Sequence, residues 1–310
     1  MLTLPTSGIA RSVDVHNVHL EVLCDWIEGS VLFDDQQVSG SEVVDVLCEG
    51  AIYVDQEFAW QRVADAWGVL ERRLAFSGLG SPFRITSAKL ERVKAWQAFP
   101  AYSFCLLLTF AQLYPKWANS FGCDYTGQGH LFERLTCESL NLIFPDWKIH
   151  PTGWTRTHPR KLGQVVQEVA ARLGEQVGNV KRWSADSANE AGLDVLCHRP
   201  FQDDRAGVPV YLLQCASGRN WDQKLKTPDL AIWTKIVQFT TKPQRAFAMP
   251  FALADDDFRY KCVLVEGMLL DRYRLLSAGR SNPDWLSKGL KRDLITWAKP
   301  RIKRLLSEDY

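Results

Sequence analysis

Three features are missing from this chain, and each removes a class of protein from consideration. The eight cysteines and six histidines include no Cys-x-x-Cys pair and no spacing suited to a zinc site, and most of the cysteines stand in apolar contexts, as small buried thiols do. A zinc module and a disulfide scaffold are therefore not expected, and a reducing cytoplasm is the expected compartment. The second missing feature is a membrane-length apolar run. The longest, Ala101 to Tyr114, is bracketed by Pro100 and Pro115 and falls short of the roughly 20 residues that a bilayer requires. It reads as a buried helix, and no membrane partner is expected. Pro5, Gly8 and Arg11 interrupt any apolar run at the start of the chain, so no signal peptide is read there. The third is charge of one sign: 37 basic and 36 acidic side chains leave a net charge of +1. No molecule-wide basic field advertises nucleic-acid binding, so any such footprint has to be local.

What is present is an ordinary globular composition, 310 residues with 46% hydrophobic content, enough for one or two domains. The chain shows no internal repeat and no low-complexity segment. Residues 1–122 read as a mainly helical accessory or recognition region and 123–310 as a second domain, with the boundary in the Gly- and polar-rich stretch from Ser120 to Gly129. In the first part, Ser39 and Glu42 form a capping-box pattern before Val43, and Gly50 closes that helix. A helix is expected from Gln56 to Phe76 and another from Ser87 to Trp96, on apolar spacing. Trp60, Trp67 and Trp96 fall at positions suited to helix packing and are assigned to core. No motif in this region carries chemistry, and it is the expected place for a protein partner.

The informative stretch comes later. Val208 to Ala216 is rich in Val, Leu and Tyr and bounded by glycines, which predicts a short, mostly buried strand. Alternation puts Gln214 on an otherwise apolar face with Val210, Leu212 and Ala216. A preceding strand over Leu193–Leu196 carries Asp194, and a loop from His198 to Gly207 joins the two. Asp194 and Gln214 are thus expected side by side across an antiparallel pair, about 5 Å apart at Cβ if directly opposite. Oxygen donors so placed suit a hard divalent cation.

Upstream, Gly127-Gln-Gly-His-Leu-Phe-Glu133 opens a helix running to Phe144, which Pro145 stops. With Asp194 on one strand and Gln214 on the next, this order resembles the PD-(D/E)xK nuclease superfamily, whose members carry an acidic residue on a first helix, an aspartate on a core strand and a (D/E/Q)-x-K set on the following one. The resemblance covers about the last 185 residues, a span typical of one domain. It is specific in its order and weak in any single motif. It implies an α/β fold: a mixed-sheet, restriction-endonuclease-like core with a helical N-terminal region. It also implies metal-dependent hydrolysis of phosphodiester bonds, with DNA the expected nucleic acid and restriction or anti-phage defence the expected setting. Glu133, Asp194 and Gln214 would hold Mg²⁺ or Mn²⁺.

The chain departs from that pattern where it matters. Ala216 stands where the family has its lysine, and Gln214 replaces a more usual carboxylate, which removes one negative charge from the metal site. Lys224, in the helix expected to begin at Asp222, is the preferred substitute for the missing ammonium, with Lys226 as the second choice. Arg219 and Asn220 follow the strand closely enough to touch a nucleic-acid backbone, and Lys226 is grouped with them. Lys288, Lys291 and Arg292 begin a basic terminal segment that reads equally as a phosphate-contacting face or as a solvated helix. Glu190 is held in reserve for the acidic role of Glu133. Each residue also has a plainer reading, a solvated glutamate or lysine or a hydrogen-bonded core amide. Two rival functions therefore stand beside the nuclease. One is a degenerate nuclease fold that binds nucleic acid or a partner without cutting, and the other an unrelated α/β enzyme using Asp194 on a small substrate.

Downstream, helices are expected over Asp229–Phe239 and Gly267–Leu276, and strands over Arg245–Leu253 and Tyr260–Val265. Trp147–Trp154 is expected as the first core strand and Leu162–Leu173 as a helix. Asn282 and Pro283 are expected to cap the terminal helix, which Pro300 should kink or break.

Overall fold

A computed structural model of the chain describes residues 1–5, 8–9, 19–120, 125–152, 161–183 and 191–307. The chain divides into two compact units, one formed by Met1–Asp124 with Leu276–Tyr310, the other by Tyr125–Leu275.

The first unit is built from α1 (Leu20–Ser30), β1 (Gln37–Ser39), α2 (Gly40–Glu49), α3 (Gln56–Ser77), β2 (Phe83–Ile85), β3 (Lys89–Arg92), α4 (Pro100–Leu113) and α5 (Pro115–Ser120). Both limbs of the expected capping box form at α2: the Ser39 hydroxyl takes the Glu42 N–H, and the Glu42 carboxylate takes the Ser39 N–H at 2.7 Å. Helix α4 is the apolar run between two prolines, and it is buried along almost its whole length. Gly29 lets α1 approach it, since a Cβ there would lie 2.0 Å from the ring of Phe110. Against α1, the buried Arg73 of α3 binds Glu21, Asp25 at 2.9 Å and Glu28 at 3.0 Å. The helix expected over Ser87–Trp96 is instead the central strand β3, flanked by β1 and β2. Lys89, Leu90 and Glu91 alternate polar and apolar, and only Leu90 of the three is buried. Period two wins over the weaker helical stripe. Of the tryptophans assigned to core, Trp67 is buried, but Trp60 is 46% exposed.

The second unit runs α6 (Tyr125–Ile143), β4 (Lys148–Pro151), α7 (Leu162–Leu173), β5 (Gln176–Val177), α8 (Val180–Trp183), β6 (Val195–His198), β7 (Val210–Cys215), α9 (Leu230–Ile236), β8 (Val237–Gln238), β9 (Gln244–Ala248), α10 (Asp255–Val265) and β10 (Gly267–Leu270), with α11 (Arg272–Leu276) leading out. Five strands form a mixed sheet in the order β10-β9-β7-β6-β4. The pairs β4–β6 and β6–β7 are antiparallel, whereas β7–β9 and β9–β10 are parallel. On one face Leu196, Val210 and Leu212 bury against α7 and Trp233 of α9. Further along, Ala216, Phe247, Met249 and Leu269 pack with Val265 of α10. Helix α6 lies against β4 and β7.

Two expectations exchange places here. Tyr260–Val265 lies in helix α10 and Gly267–Leu270 is strand β10. The β-branched, aromatic run is overridden by an N-terminus carrying Asp255, Asp256 and Asp257, which suits a helix macrodipole. Gly267 is needed in the strand, because a Cβ there would lie 2.0 Å from the Arg245 carbonyl oxygen across the parallel pair. The expected helix over Asp229–Phe239 stops at Ile236 and gives way to β8.

After α11 the chain returns to the first unit, where α12 (Lys288–Leu305) packs on α4. The last part of the expected second domain, from Leu276 onward, therefore belongs to the first unit. Ser287, not Asn282, caps α12 through a 3.2 Å bond from Leu290 N–H. Pro300 neither breaks nor ends the helix. Pro300 has no N–H to offer the Thr296 carbonyl one turn back, and Thr296 is an exposed residue of the helix. Among the described residues, no helix is long and apolar enough to cross a membrane.

Candidate active site

One cavity of about 600 Å³ in the second unit collects six of the residues that the sequence singled out. Glu133 from α6, Asp194 from the approach to β6, Gln214 from β7 and Lys224 all line it, as do Arg219 and Asn220. The lysine sits on a short 3₁₀ turn, Trp221–Lys224, in place of the expected longer helix. Lys226 is exposed but does not line the cavity. Lys288, Lys291 and Arg292 belong to α12 in the other unit, where Lys291 pairs with Asp284 at 3.1 Å and Arg292 with Asp293 at 3.3 Å. Glu190 lies outside the described residues.

The antiparallel register explains why Asp194 and Gln214 meet. Val195 is opposite Leu213, so one step further along the pair Asp194 faces Gln214. Asp194 itself stands just before the ladder, and its backbone is nevertheless tied on both sides. Its N–H donates to Leu213 O at 2.9 Å, and its carbonyl accepts from Thr152 N–H at 2.9 Å. The carboxylate is then oriented by two donors on Oδ2, the Cys215 backbone N–H at 2.6 Å and the Gln214 side-chain amide.

Gln214 was expected to offer its carbonyl oxygen to a cation. Its Nε2 donates to both Asp194 and the Cys215 carbonyl, the latter at 3.0 Å. Both neighbours are acceptors, which fixes which end of the amide faces them. Oε1 is turned toward Gly192, where an added Cβ would lie 3.2 Å from it. In this geometry Gln214 holds Asp194 and does not act as an oxygen donor beside it.

The electrostatic character of the cavity is written on two neighbouring thiols. Burial first, and then the charges of Glu133 and Asp194, push the Cys137 thiol up to about 12. Burial likewise raises Cys215 well above its ordinary value, with Asp194 and then Glu133 adding to it. Both carboxylates therefore act on one small region. Among the described residues no group of three or more His, Cys, Asp and Glu side chains is arranged to hold a metal ion. The donor set nevertheless fits a hard cation in a looser sense. Mg²⁺ is commonly bound by one or two carboxylates and completed by water and phosphate oxygens, and Glu133 and Asp194 supply two.

His130 and Ser217 also line the cavity, with no role assigned from sequence. His130 lies three residues before Glu133 on α6 and shares its face. Helical spacing applied to the Gly127–Glu133 stretch would have drawn attention to it. No family model, no curated protein and no solved structure gives a significant match to this chain.

Proposed function

We propose that this cavity is the active site of a metal-dependent nuclease that hydrolyses phosphodiester bonds, with DNA as the expected substrate, built on a PD-(D/E)xK-like core. The observation that carries the reading is the convergence of Glu133, Asp194, Gln214 and Lys224 on one cavity from a helix, two adjacent strands and the following turn. The sheet supports it too. A helix precedes three strands paired antiparallel in space (β4, β6, β7), and the third of them pairs in parallel with a later strand, an arrangement compatible with a restriction-endonuclease-like core.

In this reading Glu133 and Asp194 would hold the cation, and Gln214 with the Cys215 amide keeps the Asp194 carboxylate aimed. A bound divalent cation would polarise the scissile phosphate and acidify the attacking water. Lys224 offsets the charge that develops on the phosphoryl oxygens, and Arg219 grips a flanking phosphate through its planar fork. Water delivers its oxygen to phosphorus, one P–O ester bond breaks, and the proton passes to the leaving oxygen. Restriction or anti-phage defence in the cytoplasm is the setting we favour, by analogy with the fold alone. No disulfide joins any of the seven described cysteines, which suits a reducing compartment.

A second reading has its own observations: Ala216 stands in the lysine position, and the Gln214 oxygen faces Gly192. A degenerate nuclease that binds nucleic acid or a partner without cutting would keep both. Incubating the purified protein with plasmid DNA and Mg²⁺ or Mn²⁺, beside Asp194→Ala, separates them. Cleavage lost in the variant supports the nuclease. Equal cleavage by both proteins removes the catalytic assignment, and DNA binding without cleavage by either selects the second reading.

A further inference from the structure

We infer that the ligand of this cavity is single-stranded polynucleotide, carried to or from the cavity over an aromatic step made of Trp221 and Tyr260 with Lys261 between them. The inference rests on the nucleic-acid reading of the cavity and adds the strandedness of the substrate and the residues that select it.

Trp221 opens the 3₁₀ turn and is itself part of the cavity lining. Its ring is backed by Phe251, with centroids 5.7 Å apart at a 38° tilt, and Phe251 is buried in the core beside Phe247 and Met249. The tryptophan is thus a rim residue on a rigid support. On α10, Lys261 places its ammonium 5.3 Å from the Trp221 centroid and 5.8 Å from that of Tyr260. Tyr260 is 59% exposed, so its ring contributes little to the core. A cation seated between two rings, one on the cavity rim and one in solvent, marks a path leading out of the cavity.

Both kinds of contact match a single strand. Every base has a face that stacks on an aromatic ring, and only unpaired bases expose that face to protein. Lys261 sits on a long flexible stem, so its ammonium can leave the Trp221 ring for a backbone phosphate and free that ring for a base. Arg219 and Lys224 extend the positive track on the cavity side. The acids Asp255, Asp256 and Asp257 open α10 one turn before Tyr260 and Lys261 and repel phosphate at that end of the helix. A duplex offers phosphates but no free base faces, so it would forgo the aromatic contribution.

The test is anisotropy of fluorescein-labelled oligothymidylate, about ten nucleotides long to match one stacking site, in EDTA. Oligouridylate and a blunt hairpin duplex are run beside it. The expected result is that the single strands outcompete the duplex, Tyr260→Ala weakens them about tenfold, and duplex binding is unchanged. Because Tyr260 is exposed, this variant should fold, and Trp221→Phe provides a milder companion. Lys261→Ala should lower the salt dependence of binding. Comparison of the thymidylate and uridylate arms assigns DNA or RNA as the preferred strand. Equal affinity of wild type for duplex and single strand, wild-type affinity in both aromatic variants, or failure of wild type to bind any of the three probes overturns the inference. Failure of the hydrolysis reading looks different. Strand binding that depends on Tyr260, without Mn²⁺-supported cleavage that depends on Asp194, leaves this inference standing and removes that one. Asp194-dependent cleavage with no effect of the aromatic variants does the reverse.

Discussion

Replacing Gln214 with glutamate changes one atom of a nearly isosteric side chain and inverts the electrostatics of its contact with Asp194. In the wild type the Gln214 amide donates to the Asp194 carboxylate. In Gln214→Glu two carboxylates share that space, and Gln214 is only 7% exposed, so water screens them poorly. Two like charges about 4 Å apart repel by about 4 kcal/mol at an effective dielectric of about 20. The pair can escape by keeping one proton, which at pH 7 costs about 1.4 kcal/mol for each unit above the glutamate value of about 4.3, or about 3.7 kcal/mol in all. The two routes cost nearly the same, so destabilisation of about 3–4 kcal/mol is expected near neutral pH. Its sign with pH follows from a carboxyl raised above its unfolded value. The penalty is absent below about pH 4.3, where both states hold the proton, and grows by about 1.4 kcal/mol per unit as the pH rises toward the folded value. Urea unfolding of wild type and variant between about pH 5 and 8 reads this directly as diverging midpoints. Added Mn²⁺ should restore much of the loss, because a cation between the carboxylates replaces the missing donor. Midpoints that run parallel across the pH range would refute the contact on which the site is built.

Other consequences can be tested separately. Lys224→Ala is expected to slow cleavage by about 10- to 100-fold at saturating DNA, as loss of one positive group in a transition-state clamp does, while Lys226→Ala stays within about twofold of wild type. Single-turnover rates would decide between them, and the reverse ranking would move the ammonium role to Lys226. Glu133→Gln should weaken Mn²⁺ binding by calorimetry without altering the urea midpoint in EDTA. An unchanged isotherm would remove Glu133 from the metal site. His198 is buried against the stacked ring of His150, at 5.3 Å. Desolvation first, then the positive neighbours His150, Arg172 and Lys148, hold His198 down at about 4. A depressed histidine stabilises fully above its unfolded value of about 6.5 and loses that contribution as pH falls toward the folded one. The wild type should therefore weaken between about pH 6.5 and 4, and the slope should flatten in His198→Gln. Equal slopes in both proteins would count against the histidine.

Local signals were legible where one chemical preference acted alone. The Ser39–Glu42 box, the proline-bracketed α4 and the apolar stripe Leu162–Leu173 all stand where their residues place them. Signals failed where a partner far along the chain decided the outcome. Gly267 reads as a helix start until Arg245 is seen beside it, and Leu90 reads as a helical position until β1 and β2 flank it. That Asp194, Gln214 and Lys224 line one cavity was legible, because strand pairing and a Gly-containing turn bring them close together. The orientation of one amide was not legible. A glutamine in a sequence offers both a donor and an acceptor, and only the positions of Cys215 O and Asp194 select the donor. The placement of the basic helix with the first unit was equally hidden, since Lys288–Arg304 follows the segments of the second unit in sequence but its apolar face fits α4.

The hydrogen bonds that tether Asp194 to Leu213 on one side and Thr152 on the other have an energetic corollary. An aspartate in a mobile loop would have to surrender backbone freedom each time a cation arrived, and that entropic toll would subtract from affinity. Here the chain has already been immobilised by folding, so under the proposed function an arriving ion would meet a carboxylate already waiting in position.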